Sequence, residues 1–260
     1  MEVVILPDAG AVARLCADAV ESVLHGKPSP VLGLATGSSP LGTYAELRRR
    51  HRDEGLSFAQ ATAFLLDEYV GLAADHPQRY RAVVDAELAA HVDLRPAAVH
   101  APDALADDVP ASCAAYERAI AEAGGIDIQL LGIGSDGHLG FNEPGSSLAS
   151  RTRIKTLTER TRGDNATFFT DPAEVPRHVL TQGLGTILDA RHLVLLALGE
   201  RKADAVATAV EGPLSASCPA SVLQLHPHAT VLLDEAASAR LQLADYYREV
   251  YVGKPAWQHL

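Results

Sequence analysis

Cysteine is scarce in this chain, and its spacing excludes several kinds of protein. The 260 residues contain three cysteines, Cys16, Cys113 and Cys218, which lie far apart and form no C-x-x-C pair. This pattern excludes a disulfide framework and a zinc ribbon, and it fits a reducing compartment. The sequence therefore predicts a cytoplasmic protein whose thiols are buried.

Long apolar runs and basic stripes are also missing. The apolar segments are short, as at residues 193–198, and the N-terminus carries no basic region. Neither a membrane span nor a secretory signal is therefore expected. The net charge is −11, and the basic segment 151–162 is interrupted by Glu159 and lacks aromatic residues. The chain is thus not expected to bind nucleic acid, and a bound anion would need a few local cations or helix N-termini.

Short apolar runs alternate with amphipathic helical patterns along the whole chain. The runs predict strands at residues 3–6, 31–35, 61–67, 126–134, 192–199 and 229–234. The periodic segments predict helices at 9–24, 40–54, 80–92, 113–125 and 200–212. We therefore predict one α/β domain over residues 1–260, with a single doubly wound, mostly parallel sheet and helices on both faces. The polar segment at about 157–181 has weak periodicity, which predicts a lid or surface excursion.

Ligands of such sheets bind at the carboxyl ends of the strands. Four predicted strands end in polar groups suited to chemistry: Thr-Gly-Ser-Ser-Pro at 36–40, Asp-Glu-Tyr at 67–69, Ser-Asp-Gly-His at 135–138 and Gly-Glu-Arg-Lys at 199–202. Their shared position at the strand ends predicts one site built from all four.

Three glycines at the end of the fourth predicted strand and just beyond it match a dinucleotide-binding fingerprint. Gly132, Gly134 and Gly137 spell G-x-G-x-x-G. However, residues 140–147 contain two more glycines, a proline and two serines, which argue against the helix that would hold a pyrophosphate. The glycines are better interpreted as a sharp turn at the end of a strand.

Asp136, His138 and Glu143 place three proton-handling side chains within this segment. One carboxylate can orient an imidazole, and a second can raise its basicity. The alternative is a turn Asp, a surface His and a Glu that starts a helix. Their position beyond a strand end favours the catalytic interpretation. No metal site is expected, because the spacing matches no metal-binding signature.

The other strand ends offer a base and an anion site. Asp67 and Glu68 close an apolar strand, where desolvation makes a carboxylate a candidate base, although a turn Asp is the simpler alternative. Backbone N–H groups and hydroxyls at residues 36–39 could hold a phosphate, but they also fit an ordinary helix cap. Lys202, at a helix start, and Arg162, in the excursion, could reach the same anion or simply face solvent.

Several segments together resemble the glucosamine-6-phosphate deaminase family. The segments GLATGSSPLGTY, FLLDEYVGL, GIGSDGHLGFNEPGSSLASRTRIKTL, TRGDN, LGERKADAV and VLQLHP occur in that family's order, from about residue 31 to residue 234. The sister family, 6-phosphogluconolactonase, also has a strand followed by Asp-Gly-His, but it lacks the continuation FNEPGSSLASRTR. The resemblance implies that glucosamine 6-phosphate and water give fructose 6-phosphate and ammonia, without a metal or an organic cofactor.

The resemblance also implies roles for individual residues. Asp67 matches the base, and His138, assisted by Asp136 and Glu143, matches the group that opens the sugar ring. The phosphate would be held by Thr36, Gly37, Ser38, Ser39, Arg162 and Lys202. Ser38 departs from the pattern, because the family has glycine there.

Some members of the family are hexamers activated by N-acetylglucosamine 6-phosphate, and others are monomers. The effector residues of the activated members match Ser146, Arg153, Lys155, Thr156 and Tyr246. The resemblance therefore leaves open a homo-oligomer and an effector response. Two other functions also stay open at this point: a lactonase of the sister type, and a sensor that binds a phosphosugar without turnover.

Overall fold

The computed structural model describes residues 1–255, 257–258 and 260 of the chain. Ten strands are present in this part: β1 (Glu2–Leu6), β2 (Val31–Leu34), β3 (Thr62–Leu65), β4 (Asp67–Val70), β5 (Val99–His100), β6 (Ile128–Gly132), β7 (Arg153–Thr156), β8 (His178–Thr181), β9 (His192–Ala197) and β10 (Ala229–Asp234). Seven of them form a parallel sheet in the order β1-β10-β9-β6-β2-β3-β5.

The described residues form eight α-helices: α1 (Ala9–Gly26), α2 (Leu41–Glu54), α3 (Tyr80–Glu87), α4 (Val109–Glu122), α5 (Glu159–Asn165), α6 (Leu184–Leu188), α7 (Ala203–Glu211) and α8 (Ala244–Val252). Asp8 caps α1 by accepting a hydrogen bond from the N–H of Ala11 at 2.7 Å. None of the helices in this part of the chain combines the length and the apolar character needed to cross a bilayer.

The large sheet is covered on both faces. Every residue of β2 and of β9 is buried. Since successive side chains of a strand point to opposite faces, continuous burial requires packing on each side. The predicted doubly wound, mostly parallel sheet is therefore confirmed. The predicted bounds of the single domain run to residue 260, and residues 256 and 259 lie outside the described part.

A second sheet, of three antiparallel strands in the order β4-β8-β7, was not predicted. The run at 61–67 was predicted as one strand, but β3 ends at Leu65 and Asp67 already belongs to β4. Leu66 joins the two sheets, because its N–H donates to Leu34 and its carbonyl accepts from Gln182. Asp67 therefore lies where the large sheet passes into the small one.

The predicted excursion is the long connection between the antiparallel strands β7 and β8. It contains α5 and two short 3-10 turns, and its ends are joined by a hydrogen bond of 2.9 Å from Leu157 N–H to the carbonyl of Arg177. We call residues 157–177 the lid. Three of its apolar side chains, Leu157, Phe169 and Val175, belong to a small cluster apart from the main core. The other members of that cluster are Tyr69, Leu72, Phe141 and Val179.

Candidate active site

The four polar strand ends lie side by side. They follow β9, β6, β2 and β3, which are consecutive strands of the large sheet. The chain leaves β2 toward one edge of the sheet and leaves β6 toward the other, so the crevice between them is the topological switch point where ligands of such sheets bind. A Cβ placed on Gly132, at the end of β6, would lie 3.8 Å from the Ser39 hydroxyl beyond β2. The fold thus brings the predicted groups to one place.

Asp136 and His138 form a close pair in the turn after β6. Nδ1 of His138 lies 2.7 Å from Oδ1 of Asp136, although the ring is not aligned for a straight hydrogen bond. Burial tends to raise the pKa of the Asp136 carboxyl, but its contacts with His138 outweigh this effect and lower the pKa to about 2. Asp136 is therefore ionised near neutral pH and can stabilise a positive charge on the imidazole.

The glycine at position 134 gives the imidazole its place. A Cβ on Gly134 would lie 2.2 Å from the ring of His138, so any other residue would displace the ring. The N–H of Gly134 donates to the carbonyl of His138 at 3.0 Å, which closes the turn. The second glycine of the G-x-G-x-x-G pattern therefore leaves space for the imidazole ring of His138.

Asp67 is a buried carboxyl at the start of β4. Burial raises its pKa well above the usual range, and the charge of Glu68 adds to the shift. A Cβ on Gly140 would lie 3.4 Å from Oδ2 of Asp67. Gly140 has a φ of 56°, in the left-handed region that favours glycine. The loop after His138 therefore passes close to Asp67, with little room for a side chain between them.

Glu143 is buried, and its Oε1 accepts two hydrogen bonds of 3.2 Å, from the N–H and the hydroxyl of Thr158. Thr158 is the N-cap of α5, the lid helix. No ion pair joins Glu143 to His138 among the described residues. The contact between these two side chains stays a prediction, whereas the contact of Glu143 with the lid was not foreseen.

The turn of residues 36–39, which we call the phosphate turn after its predicted ligand, lies between β2 and α2. Ser38, which replaces the glycine of the family pattern, is exposed and so does not crowd the turn. Pro40 is buried and precedes the first turn of α2, whose N–H groups have no partner within the helix. Turn and helix together form a site suited to an anion.

Lys202 ends a 3-10 turn after β9 and is partly buried. Burial lowers its pKa, against the opposite effect of the Asp164 and Asp136 carboxylates. Asp234, at the end of β10, holds this turn, since each of its carboxylate oxygens lies 3.0 Å from the N–H of Gly199. Sequence analysis did not single out Asp234, although an acid at the end of a neighbouring strand could have suggested it.

Glu68 is a second residue whose role the sequence did not reveal. It is fully buried, and its carboxylate accepts hydrogen bonds from the N–H groups of Tyr69, Tyr80 and Arg81 at 2.9, 2.9 and 3.1 Å. Because Tyr80 and Arg81 begin α3, Glu68 fixes the start of that helix beside β4. Its contacts make it an anchor for the segment that carries Asp67.

Arg162 lies in α5 with most of its side chain covered. Its Nε and Nη2 both donate to the carbonyl of Val175, at 3.2 and 3.1 Å, and Nη1 lies 3.6 Å from Glu159. The guanidinium therefore joins two parts of the lid. Two of its five N–H groups are thus used within the lid.

The five residues matched to an effector site do not all lie on one element. Arg153, Lys155 and Thr156 belong to β7, which packs on β8 and α4. Ser146 is buried, and its hydroxyl has no hydrogen-bond partner among the described residues. Tyr246 is 57% exposed on α8, a helix that packs on β1. The helix that carries Tyr246 therefore packs on a different element from those that contact β7.

No group of three or more His, Cys, Asp or Glu side chains is arranged to hold a metal within the described residues. The three cysteines are free and buried, as expected from their spacing. The side chains gathered at the strand ends are therefore acids, an imidazole, a lysine and hydroxyls, a set that can move protons and hold an anion.

Comparison with known proteins identifies the family. The family model of the glucosamine-6-phosphate isomerases and 6-phosphogluconolactonases matches residues 8–232. The chain is 64% identical over 259 residues to a glucosamine-6-phosphate deaminase of Mycolicibacterium smegmatis, with 99% of each chain covered. It is 63% identical over 260 residues to the deaminase of an Arthrobacter species, with both chains fully covered. The chain belongs to this family.

Among solved structures, the chain is likewise more similar to a deaminase than to a 6-phosphogluconolactonase. The chain matches a monomeric glucosamine-6-phosphate deaminase with a TM-score of 0.91 and 42% identity, over 92% of this chain and all of the other. A 6-phosphogluconolactonase from Thermotoga maritima matches with a TM-score of 0.71 and 19% identity, over 90% of this chain and 98% of the other, which shows a common fold alone. The resemblance to the deaminases that the motifs indicated is confirmed.

Proposed function

We propose that this enzyme converts glucosamine 6-phosphate and water to fructose 6-phosphate and ammonia. The observation that carries the proposal is the buried Asp67 carboxyl close to the loop that follows the Asp136–His138 pair, at the switch point of the sheet. The relatives named glucosamine-6-phosphate deaminase support the same reaction. The ligand is then a small sugar phosphate, consistent with an acidic protein that holds one anion at a local site.

The first step opens the sugar ring. It needs a group that delivers a proton to the ring oxygen and takes one from the hydroxyl at C1. His138 can do both, because the ionised Asp136 2.7 Å away can stabilise the protonated imidazole. Glu143 would assist from the following loop, and its hydrogen bonds with Thr158 connect it to the lid.

The second step moves a proton from C2 to C1 of the open sugar through an enolamine, which leaves an imine at C2. Water then adds to C2 and ammonia leaves, so that C2 becomes the ketone carbon of fructose 6-phosphate. One carboxylate with access to both carbons can carry this proton. Asp67 suits the task, because burial raises the pKa of its carboxyl and so makes the carboxylate a stronger base. General acid–base catalysis of this kind contributes about 10²–10⁴ in rate.

The phosphate group provides the binding energy that holds C1 and C2 in place. The turn formed by Thr36, Gly37, Ser38 and Ser39 would receive it at the start of α2, and Lys202 would approach from the neighbouring strand end. In the predicted arrangement Arg162 closes over the phosphate from the lid. A homo-oligomer and an effector response at Ser146, Arg153, Lys155, Thr156 and Tyr246 stay predictions, and the monomeric relative favours neither.

A turnover assay tests the proposal. Purified protein without added metal should release ammonia from glucosamine 6-phosphate and should not hydrolyse 6-phosphogluconolactone. Running the assay with and without N-acetylglucosamine 6-phosphate tests activation at the same time. Folded protein that releases no ammonia at millimolar substrate would refute the proposal. Lactone hydrolysis would then favour the sister activity, and binding without turnover would favour a sensor.

A further inference from the structure

Two arginines of the lid have different surroundings. Arg162 donates from Nε and Nη2 to the carbonyl of Val175, so its guanidinium is used inside the lid. Arg160, two residues earlier and exposed, extends out of the lid and donates from Nη2 to the Ser135 hydroxyl at 3.0 Å. Of the two, Arg160 is the one whose guanidinium contacts the strand-end loops.

The position that Arg160 reaches is part of the candidate site. Ser135 follows β6 and directly precedes Asp136. Its hydroxyl also donates to Oδ2 of Asp164, in the same lid helix, at 3.2 Å. The turn is therefore joined to α5 by two hydrogen bonds, one from a cation and one to an acid.

The ammonium of Lys202 interacts electrostatically with two acids of the same region. The charges of Asp164 and Asp136 both act on its ammonium, against the larger effect of burial. Across the crevice, the Ser39 hydroxyl approaches the end of β6. Arg160 thus contacts the loop that follows β6, and the phosphate turn lies beside the end of that same strand.

We propose that Arg160, rather than Arg162, is the lid residue that binds the phosphate of the substrate, and that Arg162 holds the lid in shape. The inference rests on the proposed function, because it deepens the recognition of the same substrate. A hydrogen bond from a guanidinium to a neutral, exposed hydroxyl is readily exchanged for one to a phosphate oxygen, which is shorter and stronger. Arg160 therefore uses Ser135 as its partner in the free enzyme and the phosphate in the complex.

Three matched substitutions test this assignment: Arg160→Gln, Arg162→Gln and, as a control at an exposed lid position, Arg177→Gln. Each variant is assayed for kcat and KM with glucosamine 6-phosphate and for inhibition by inorganic phosphate. We expect R160Q to raise both the KM and the inhibition constant of phosphate by roughly tenfold or more, with a smaller change in kcat, as for a lost charged hydrogen bond. Arg160→Lys should recover part of the loss, because it keeps the charge but not the planar fork.

The controls separate binding from folding. R177Q should match the parent enzyme, and R162Q should change phosphate inhibition by less than about threefold while making the lid easier to cleave with a protease. If phosphate inhibits R160Q as strongly as the parent, or if R162Q alone shows the tenfold loss, the assignment is wrong.

Calorimetry measures the binding of inorganic phosphate without turnover. It therefore tests the assignment of Arg160 separately from the proposed deaminase reaction. A parent enzyme that releases no ammonia would refute the deaminase, whereas a tenfold weaker binding of phosphate to R160Q would still support Arg160. Equal binding of phosphate to R160Q and the parent would refute Arg160 and leave the deaminase untouched.

Discussion

The floor of the candidate site and the lid above it are held by different kinds of contact. The floor consists of loops at the ends of four neighbouring parallel strands, with Asp67 and Glu68 buried. The lid is one long connection between β7 and β8, and its small apolar cluster is separate from the main core. Polar bonds such as those from Thr158 and Arg160 link it to the floor.

This difference suggests that the floor and the lid have different roles in turnover and binding. Groups anchored in the large sheet are expected to keep their positions if the lid moves, because displacing them would disturb a buried core. The polar bonds between the lid and the floor are a few hydrogen bonds, which can be exchanged for bonds to a ligand. We therefore expect substitutions in the floor to lower kcat and substitutions in the lid to alter binding.

The largest effect is expected for Asp67→Asn, which removes the base but keeps its shape. The value of kcat should fall by about 10²–10⁴, with a much smaller change in substrate affinity. Ammonia release measures the first quantity and calorimetry the second. Asp75→Asn, at an exposed position in the following loop, is the matched control and should leave both unchanged. A kcat for D67N close to that of the parent would end the assignment of Asp67 as the base.

A smaller loss is expected for His138→Gln, also in the floor. The value of kcat/KM should fall by roughly 10². The loss stays below that of D67N because the ring of a sugar also opens slowly in water without a catalyst. His178→Gln, at an exposed position of β8, provides the control. Unchanged kcat/KM for H138Q would mean that another group opens the ring.

Parts of this division could be predicted from the sequence and others could not. The apolar runs that end at residues 35 and 134 are local signals, and they were enough to place the phosphate turn and Asp136 at strand ends. The strand β7 reads Arg-Ile-Lys-Thr, with no buried residue, and β8 lies in a polar segment, so neither has a clear strand pattern. Both are strands because they pair with each other, and β8 also pairs with β4.

The contacts between the floor and the lid could not be predicted from the sequence either. Glu143 and Thr158 are 15 residues apart, and Ser135 and Arg160 are 25 residues apart. No periodicity relates such pairs, because their approach depends on where the β7–β8 connection folds back. The sequence therefore predicts which side chains gather at the strand ends, but not which lid residues contact them.

The contact between Glu143 and the lid can be weakened by Thr158→Val, which removes the hydroxyl but keeps the shape and the N–H. We expect kcat/KM to fall by roughly 3- to 10-fold, as for one lost hydrogen bond to a charged group that keeps a second donor. Most of the change should be in KM if the lid governs binding. Thr158→Ser keeps the hydroxyl and should remain near the parent. A loss confined to kcat would contradict the proposed division, because it would place Thr158 with the floor.

The smallest kinetic effect is expected at the far end of the sheet, where β9 and β10 begin. Nε2 of His192 lies 2.9 Å from the Thr230 hydroxyl, and its ring stacks on His228 with centroids 3.7 Å apart. Burial lowers the pKa of His192 to about 3, and the nearby His228, His226 and Lys254 add to the shift. His192 is therefore neutral in the folded protein at any pH where the enzyme is assayed.

His192→Gln should accordingly change the response of stability to acid and leave kcat and KM at neutral pH unchanged. Between about pH 6.5 and pH 3 the unfolded chain holds a proton on this histidine that the folded chain does not, so acid favours unfolding by up to ~1.4 kcal/mol per pH unit. The glutamine variant lacks this proton, so its free energy of unfolding should fall less between pH 7 and pH 5. Urea unfolding at the two pH values measures the difference, with His178→Gln as the exposed control. Equal losses in the variant and the parent would show that the acid sensitivity arises elsewhere, and a changed KM would mean that the binding function extends beyond the lid and the strand ends it covers.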